Sequence, residues 1–184
     1  LAPATTSPYV PSTRYIPNGG RPRPDPELVA ALVAKIREAK KPIVIAGRGV
    51  LHSGAKSAVE AVADRCGAAL ATTLPARGLF DHHPYSLGIS GGYTTKLCRE
   101  VMAEADLILA FGARMSYYTV DGGNIFPQAF VAQIDTAPRG LSEGALAANF
   151  FITADARVTA EAILTELDAT LGAGKPTAAT VRTN

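Results

Sequence analysis

Five short apolar segments recur along the chain, separated by polar or amphipathic stretches. Each contains four or five mostly aliphatic or aromatic residues with almost no polar interruption, at 43–46, 68–72, 107–111, 130–134 and 150–153. Strands with one face in water alternate apolar and polar residues, whereas continuous apolar runs indicate strands buried on both faces. The pattern therefore predicts five buried strands of a parallel sheet.

Helical patterns fill the intervals between these strands. Asp25 and Pro26 are typical of a helix start, as an N-cap residue and a first-turn proline. Leu28, Leu32 and Ile36 follow at a spacing of four and share one helix face. Further helices are predicted from a Ser53 cap to Gly67, from about Thr95 to Glu104, over a short stretch at 142–148, and from about Asp155 to Leu171 with Gly172 at its end.

The alternation of strands and helices predicts an α/β fold. Buried parallel strands with helices on both faces form a Rossmann-like, doubly wound sheet. Ligands of such sheets bind beyond the carboxyl ends of the strands, at the point where the strand order reverses. Residues 74–93 and 112–128 show no clear periodicity and are expected to be long loops, which are often functional.

Both ends of the chain have the composition of linkers. Residues 1–24 are rich in proline and polar residues and are predicted to be an interdomain linker, while 173–184 are predicted to be a second linker or tail. Residues 25–172 form one domain in this interpretation. We expect the chain to be a central piece of a longer polypeptide; two disordered termini are the alternative.

Composition and charge exclude several classes of partner. The 184 residues carry 18 basic and 16 acidic side chains, which gives no case for binding nucleic acid or an anionic membrane surface. No apolar run approaches the length of a membrane span. Cys66 and Cys98 fall within apolar helical patterns and are expected to be buried and reduced. These features predict a soluble, cytoplasmic protein.

Two strand ends carry a glycine turn followed by arginine. Gly47-Arg48-Gly49 follows the first apolar segment, and Gly112-Ala113-Arg114 follows the third. Glycine allows backbone N–H groups to approach a phosphate, and arginine pairs with phosphate or with acidic groups of a neighbouring domain. Asp135 follows the fourth segment and can accept hydrogen bonds from a ribose or an adenine amine; a turn or cap residue is the alternative. Asp155 is predicted first as a helix N-cap and second as a ligand contact.

Several catalytic motifs are excluded by their context. The third glycine of a dinucleotide fingerprint would fall at His52, and no phosphate-loop motif occurs. Gly88 to Gly92 match the letters of a hydrolase nucleophile motif, but no strong strand precedes Ser90 and all three histidines come before it. Asp81-His82-His83 is interpreted as a surface turn, because no third metal ligand follows at a suitable spacing.

An ordered series of segments resembles the central domain of thiamine diphosphate-dependent enzymes, the acetolactate synthase and 2-oxo acid decarboxylase group. The resemblance covers about Pro26 to Leu171. Its segments are KPIVIAGRGV, CGAALATTLPARGLFDHHPYSLGISGG, EADLILAFGAR, QIDTAP and TADARVTAEAIL. It implies a six-stranded parallel sheet of the kind also seen in NAD-dependent deacylases. It also implies that thiamine diphosphate and Mg²⁺ are bound by flanking domains absent from this chain, so that the chain alone is inactive and holds no catalytic residue.

The resemblance further implies where a nucleotide would bind, since some members hold the ADP part of FAD, others ADP or coenzyme A, and many hold nothing. The matching positions are Gly47, Arg48, Gly49, Thr73, Leu74, Gly88, Ile89, Ser90, Gly91, Gly112, Ala113, Arg114, Asp135, Asp155 and Ala156. The chain departs from the flavin-binding members at GARMSYY, where they tend to read GARFDDR, and at GISG, where they tend to read GMHG. Both changes weigh against a flavin.

The predicted function is that of a central domain that joins and positions the thiamine diphosphate-binding domains of an enzyme acting on 2-oxo acids. A site for FAD, ADP or coenzyme A is part of this prediction, and the parent is expected to be a homodimer or homotetramer. A scaffold without any ligand is the first alternative. A self-standing NAD-dependent deacylase-like enzyme is the second, although two cysteines cannot supply a four-cysteine zinc site.

Overall fold

The apolar segments form one six-stranded sheet in the computed structural model, which describes residues 10–11, 14, 19–138 and 148–172. The strands are β1 (Pro42–Ala46), β2 (Ala69–Thr72), β3 (Ser86–Ile89), β4 (Leu107–Phe111), β5 (Phe130–Asp135) and β6 (Phe150–Thr153). The helices are α1 (Pro26–Glu38), α2 (Arg48–Ser53), α3 (Lys56–Cys66), α4 (Lys96–Ala103), α5 (Tyr117–Val120) and α6 (Ala156–Leu171).

All neighbouring strands are parallel, in the order β3-β2-β1-β4-β5-β6. The chain leaves β1 toward β3 on one side and then returns to lay β4 against the other side of β1. This reversal places the switch point between β1 and β4. The fold is therefore the predicted Rossmann-like, doubly wound sheet.

The sheet is buried on both faces because successive strand residues point to opposite sides. In β4, Leu107, Leu109 and Phe111 pack in the core cluster that contains α1, α3 and α6, whereas Ile108 and Ala110 pack in a second cluster with α4. Every residue of β4 thus packs against apolar residues on one face of the sheet or the other. This arrangement explains why the strand sequences lack polar alternation.

Four helix boundaries follow the predicted chemistry. The Asp25 side chain accepts a hydrogen bond from the Glu27 amide (2.8 Å), and that of Thr95 accepts one from the Cys98 amide (3.2 Å). Asp155 caps α6 by accepting from the amides of Arg157 and Val158, and Gly67 ends α3 in the left-handed conformation. The predicted N-caps at Asp25 and Asp155 and the predicted helix end at Gly67 are confirmed, and Thr95 caps the helix that was expected to begin near it.

Other expectations are corrected. Ser53 does not cap a helix but is the last residue of α2; Gly54, at φ +63°, ends that helix, and α3 then begins after Ala55. The expected loop at 74–93 contains β3, and the one at 112–128 contains α5 and a 3-10 turn at Asp121–Gly123. Residues 142–147 of the helix expected at 142–148 lie outside the described part of the chain, as do the tail residues 173–184.

Candidate functional site

The turns after β1 and β4 meet at the switch point. The Gly47 amide donates to the Phe111 carbonyl (2.9 Å), and the Gly49 amide donates to the Gly112 carbonyl (3.0 Å). The Gly112 amide in turn donates to the Ile134 carbonyl (2.7 Å), which ties in β5. Backbone hydrogen bonds therefore fix both turns before any ligand is considered.

Glycine is required in these turns by the backbone of the opposite turn. A Cβ at Gly47 would overlap the Gly112 carbonyl oxygen, and a Cβ at Gly49 would lie 2.6 Å from the Gly112 Cα. Gly112 also has φ +53°, a conformation that favours glycine. The sequence pattern predicted that these glycines allow the backbone to approach a phosphate. Among the described residues, the atoms that each turn approaches closely are those of the other turn.

A cleft of about 890 Å³ opens over this junction at the carboxyl edge of the sheet. Its volume lies within the roughly 300–1,000 Å³ that is typical of small-molecule sites. It is lined by Arg21, Arg48, Gly49, His52, Ser53, Thr73, Leu74, Pro75, Ser90, Tyr93, Gly112, Arg114, Ser116, Tyr118, Thr119, Asp135, Thr136, Ala154, Asp155 and Ala156. The cleft thus contains residues from the carboxyl ends of all six strands.

Most of the residues predicted for a nucleotide site line this cleft. Those that do are Arg48, Gly49, Thr73, Leu74, Ser90, Gly112, Arg114, Asp135, Asp155 and Ala156. Those that are not among its lining residues are Gly47, Gly88, Ile89, Gly91 and Ala113. Gly88 and Ile89 belong to edge strand β3, Ala113 is buried in the core, and a Cβ at Gly91 would overlap the Tyr118 carbonyl oxygen.

Arg48 and Arg114 contribute positive charge to the cleft. Arg48 is the first residue of α2, Arg114 follows the β4 turn, and both side chains are exposed. Neither makes a hydrogen bond or ion pair within the described part of the chain. Their guanidinium groups can therefore bind an anionic ligand without first breaking an internal contact.

The two acidic residues differ in their surroundings. Asp135 ends β5 and is 8% exposed; its Oδ1 accepts hydrogen bonds from the Thr136 amide (2.7 Å) and hydroxyl (3.3 Å). Asp155 is occupied as the α6 cap, and its Oδ1 also contacts Arg21 at 3.3 Å. Asp135 and Asp155 thus organise the backbone at the cleft as well as lining it.

Ser90 is a structural residue. It is 2% exposed, its amide donates to the Thr72 carbonyl (2.8 Å), and its hydroxyl donates to the Thr119 carbonyl (2.9 Å). No histidine accepts a proton from this hydroxyl among its contacts. The geometry agrees with the sequence argument against a nucleophilic serine.

Sequence reasoning missed several lining residues. They are Arg21, His52, Ser53, Pro75, Tyr93, Ser116, Thr119, Thr136 and Ala154. His52, Ser53 and Ser116 lie within a few residues of predicted positions, so sequence proximity could have found them. Tyr93 and Tyr118 are 65% and 74% exposed, and Tyr118 packs edge-to-face with Tyr117 at 5.7 Å between ring centroids. Exposed tyrosines beside a cleft are available to stack on a planar ligand.

Cys98 lies outside the cleft. Burial raises the pKa of its thiol, against smaller opposing effects of Thr94 and Arg99. The thiol therefore stays protonated at neutral pH and is a poor nucleophile. Cys66 and Cys98 are both buried, as the apolar helical pattern predicted.

Comparison with known proteins assigns the domain. The model of the family "Thiamine pyrophosphate enzyme, central domain" matches residues 29–163. The chain belongs to this family. The resemblance inferred from the ordered segments is thereby confirmed, and the match favours a thiamine diphosphate enzyme over a deacylase-like one.

Relatives of this central domain are much longer proteins. The acetolactate synthase of Mycobacterium bovis is 31% identical over 132 residues, covering 71% of this chain and 20% of the relative. The "Probable acetolactate synthase large subunit" of Methanococcus aeolicus is 28% identical over 145 residues, covering 78% of this chain and 24% of the relative. The chain spans about a quarter or less of the length of these relatives.

A solved structure supports the fold. The benzoylformate decarboxylase of Polynucleobacter necessarius superimposes with a TM-score of 0.66 at 22% identity, covering 94% of this chain and 32% of the decarboxylase. This likeness applies to the fold alone.

Two kinds of feature are absent from the described residues. They contain no group of three His, Cys, Asp or Glu side chains that could hold a metal ion. They also contain no helix that is both long and apolar enough to span a membrane.

Proposed function

We propose that this central domain serves a thiamine diphosphate-dependent transferase or lyase that acts on 2-oxo acids, as an acetolactate synthase does. Flanking domains of the same polypeptide would bind thiamine diphosphate and Mg²⁺ and perform the reaction. The limited coverage of the relatives supports this division of labour. The central domain alone would be inactive, and its role would be to join and position the others.

We further propose that the cleft binds an adenine nucleotide, as ADP, coenzyme A or the ADP part of FAD. The observation that carries this proposal is the pair of exposed arginines, Arg48 and Arg114, that line one cleft without internal partners among the described residues. Such side chains suit a diphosphate, because guanidinium groups bind phosphate oxygens with two parallel hydrogen bonds. Asp135 would accept hydrogen bonds from a ribose or an adenine amine, and Tyr118 would stack on the base.

A scaffold without ligand is the second candidate, and two observations favour it. The glycines at 47, 49 and 112 are explained by contact between the two turns, so they need no ligand to account for them. The Ser116-Tyr117-Tyr118 segment also lacks the acidic residues of flavin-binding relatives. In this case the arginines would pair with acidic groups of a flanking domain.

A ligand titration separates the two candidates. Thermal unfolding of the chain is measured with FAD, ADP, coenzyme A and NAD. A ligand at roughly 100 times its dissociation constant should add about 2.7 kcal/mol to the free energy of unfolding, which raises the Tm by several degrees. We expect a rise with ADP or a larger ADP-containing ligand.

Matched variants locate the binding. The double variant Arg48→Ala/Arg114→Ala should weaken binding of the nucleotide by about 100-fold, since each substitution removes a charge-assisted hydrogen bond to phosphate. Arg37→Ala, an exposed arginine of α1 away from the cleft, should leave binding unchanged. The absence of a Tm rise with all four ligands would instead support the scaffold.

The assembly and location of the parent enzyme complete the proposal. We propose a homodimer or homotetramer in which the central domain contacts the flanking domains. We also propose a cytoplasmic location, because buried cysteine residues suit a reducing compartment.

A further inference from the structure

The segment just before α1 lies against the carboxyl edge of the sheet. We define residues 19–24 as the N-terminal strap. The Pro22 carbonyl accepts a hydrogen bond from the Asp155 amide at 2.9 Å. This bond joins the strap to the residue that caps α6, which also lines the cleft. A segment predicted to be a linker is thus docked at the candidate site.

Arg21 is held at this position by two acceptors. Its Nη1 donates to the Ser53 carbonyl at 2.6 Å and to Asp155 Oδ1 at 3.3 Å. Ser53 is the last residue of α2, and the Asp155 side chain is only 12% exposed. The guanidinium is therefore oriented between a helix end and a largely buried carboxylate.

Part of this guanidinium remains available. A guanidinium has five N–H donors, and both of these contacts use Nη1 alone. Nε and Nη2 have no partner within the described residues, and the side chain is 47% exposed. Arg21 lines the same cleft as Arg48 and Arg114. Its free donors can bind a ligand oxygen while Nη1 keeps the strap docked.

We propose that Arg21 is a third phosphate-binding arginine of the cleft, and that nucleotide binding and strap docking are therefore coupled. The proposal rests on the proposed adenine-nucleotide site and specifies its ligand as a nucleoside diphosphate or a larger molecule that contains one. Coupling between two events is reciprocal. If the docked strap supplies a contact to the nucleotide, the bound nucleotide must stabilise the docked strap by the same factor.

The Asp155 amide reports directly on strap docking. Its proton is protected by the Pro22 carbonyl, so its hydrogen exchange requires the strap to move away. Exchange can be followed by ¹⁵N NMR on the 184-residue chain with and without ADP. We expect ADP at saturation to slow exchange at this amide several-fold.

Binding to variants of the strap is the second measurement. Arg21→Ala should weaken ADP binding by about tenfold, the effect of losing one charge-assisted hydrogen bond at a partly exposed site. Arg21→Lys should restore part of the affinity, and Arg21→Gln should not, because charge is needed. Arg23→Ala removes a strap arginine that does not line the cleft and should bind ADP like the wild type. Binding of adenosine, which has no phosphate, should be insensitive to Arg21→Ala.

The outcomes separate the two proposals. If ADP binds equally to the wild type and to Arg21→Ala and Arg21→Gln, the role of Arg21 is wrong and the nucleotide site stands. If ADP binds but does not slow exchange at the Asp155 amide, the coupling is wrong. If ADP does not bind the wild type at all, the nucleotide site itself fails, and the role of Arg21 fails with it.

Discussion

Glycine at position 47 is a requirement of backbone packing, and this can be tested by adding one methyl group. In Gly47→Ala the new Cβ would overlap the Gly112 carbonyl oxygen and crowd the Ala113 Cα. Both are backbone atoms, so the strain cannot be relieved by a rotamer change. We expect a loss of about 3 kcal/mol in the free energy of unfolding, at the upper end of the usual cost of overpacking. Urea denaturation measures it.

Gly92→Ala is the matched control for this substitution. A Cβ at Gly92 would have no heavy atom within 4 Å, and its φ lies outside the left-handed region. The control should change stability by less than about 1 kcal/mol. Equal stability of Gly47→Ala and Gly92→Ala would contradict the packing argument. It would favour the alternative, that glycine at position 47 lets the backbone approach a ligand.

The sequence could predict the two arginines that line the cleft just beyond buried strands. Arg48 and Arg114 each follow, within two residues, a glycine at the end of such a strand, and parallel strands bring their carboxyl ends to one edge. Arg21 could not be found in this way. It is separated from Asp155 by 134 positions and lies in a proline-rich segment with no periodicity. Only the folded arrangement of the strap shows that it reaches the cleft.

At the scale of elements, the fully buried strands were predicted most directly. The strands expected at 43–46, 68–72 and 107–111 are confirmed within one residue, because their apolar runs have no competing interpretation. The edge strand β3 was missed because every one of its residues is only half-buried and Gly88 interrupts it. The separation of α2 from α3 was missed because Gly54 adopts a left-handed conformation that propensity alone does not show.

Arg65 connects the C-terminal ends of α3 and α6. Its side chain is 9% exposed; Nη2 donates to Asp168 Oδ1 (3.0 Å) and to the Gly172 carbonyl (2.7 Å), and Nε donates to Asp168 (3.3 Å). Arg65→Ala removes these bonds together and leaves a space between the helices. We expect it to lower the free energy of unfolding by about 2 kcal/mol, which thermal or urea unfolding can measure.

Arg157→Ala provides the comparison for an exposed arginine. Arg157 pairs with Glu161 one turn along α6 (2.8 Å), and both side chains are about half-exposed. Exposed pairs at this spacing contribute little, so the loss of stability in Arg157→Ala should be much smaller than that in Arg65→Ala. A loss of stability in Arg157→Ala as large as that in Arg65→Ala would contradict the argument that the buried arginine contributes more than the exposed one.

At the scale of the whole molecule, topology determines where the cleft lies. Placing β4 beside β1 brings the turns after these two strands together at the carboxyl edge, and the cleft opens over their junction. The alternation of strands and helices was sufficient to predict this edge. The shape of the cleft was not predictable, because it depends on α5, on the strap and on residues whose sequence context is unremarkable.

The exposed tyrosines of α5 should cause this chain to associate with itself. Tyr117 and Tyr118 are 58% and 74% exposed and lie against each other, which is a large aromatic surface to leave in water. The chain covers only about a quarter or less of its relatives, so we expect a surface that normally meets another domain to be open here.

Sedimentation velocity should show a mass that rises with protein concentration. Replacing both tyrosines by serine should reduce this rise, whereas Leu51→Ser, at an apolar residue of α2 that is 49% exposed, should not. A mass that stays monomeric at every concentration would mean that these tyrosines remain solvated and that association in the parent depends on other surfaces.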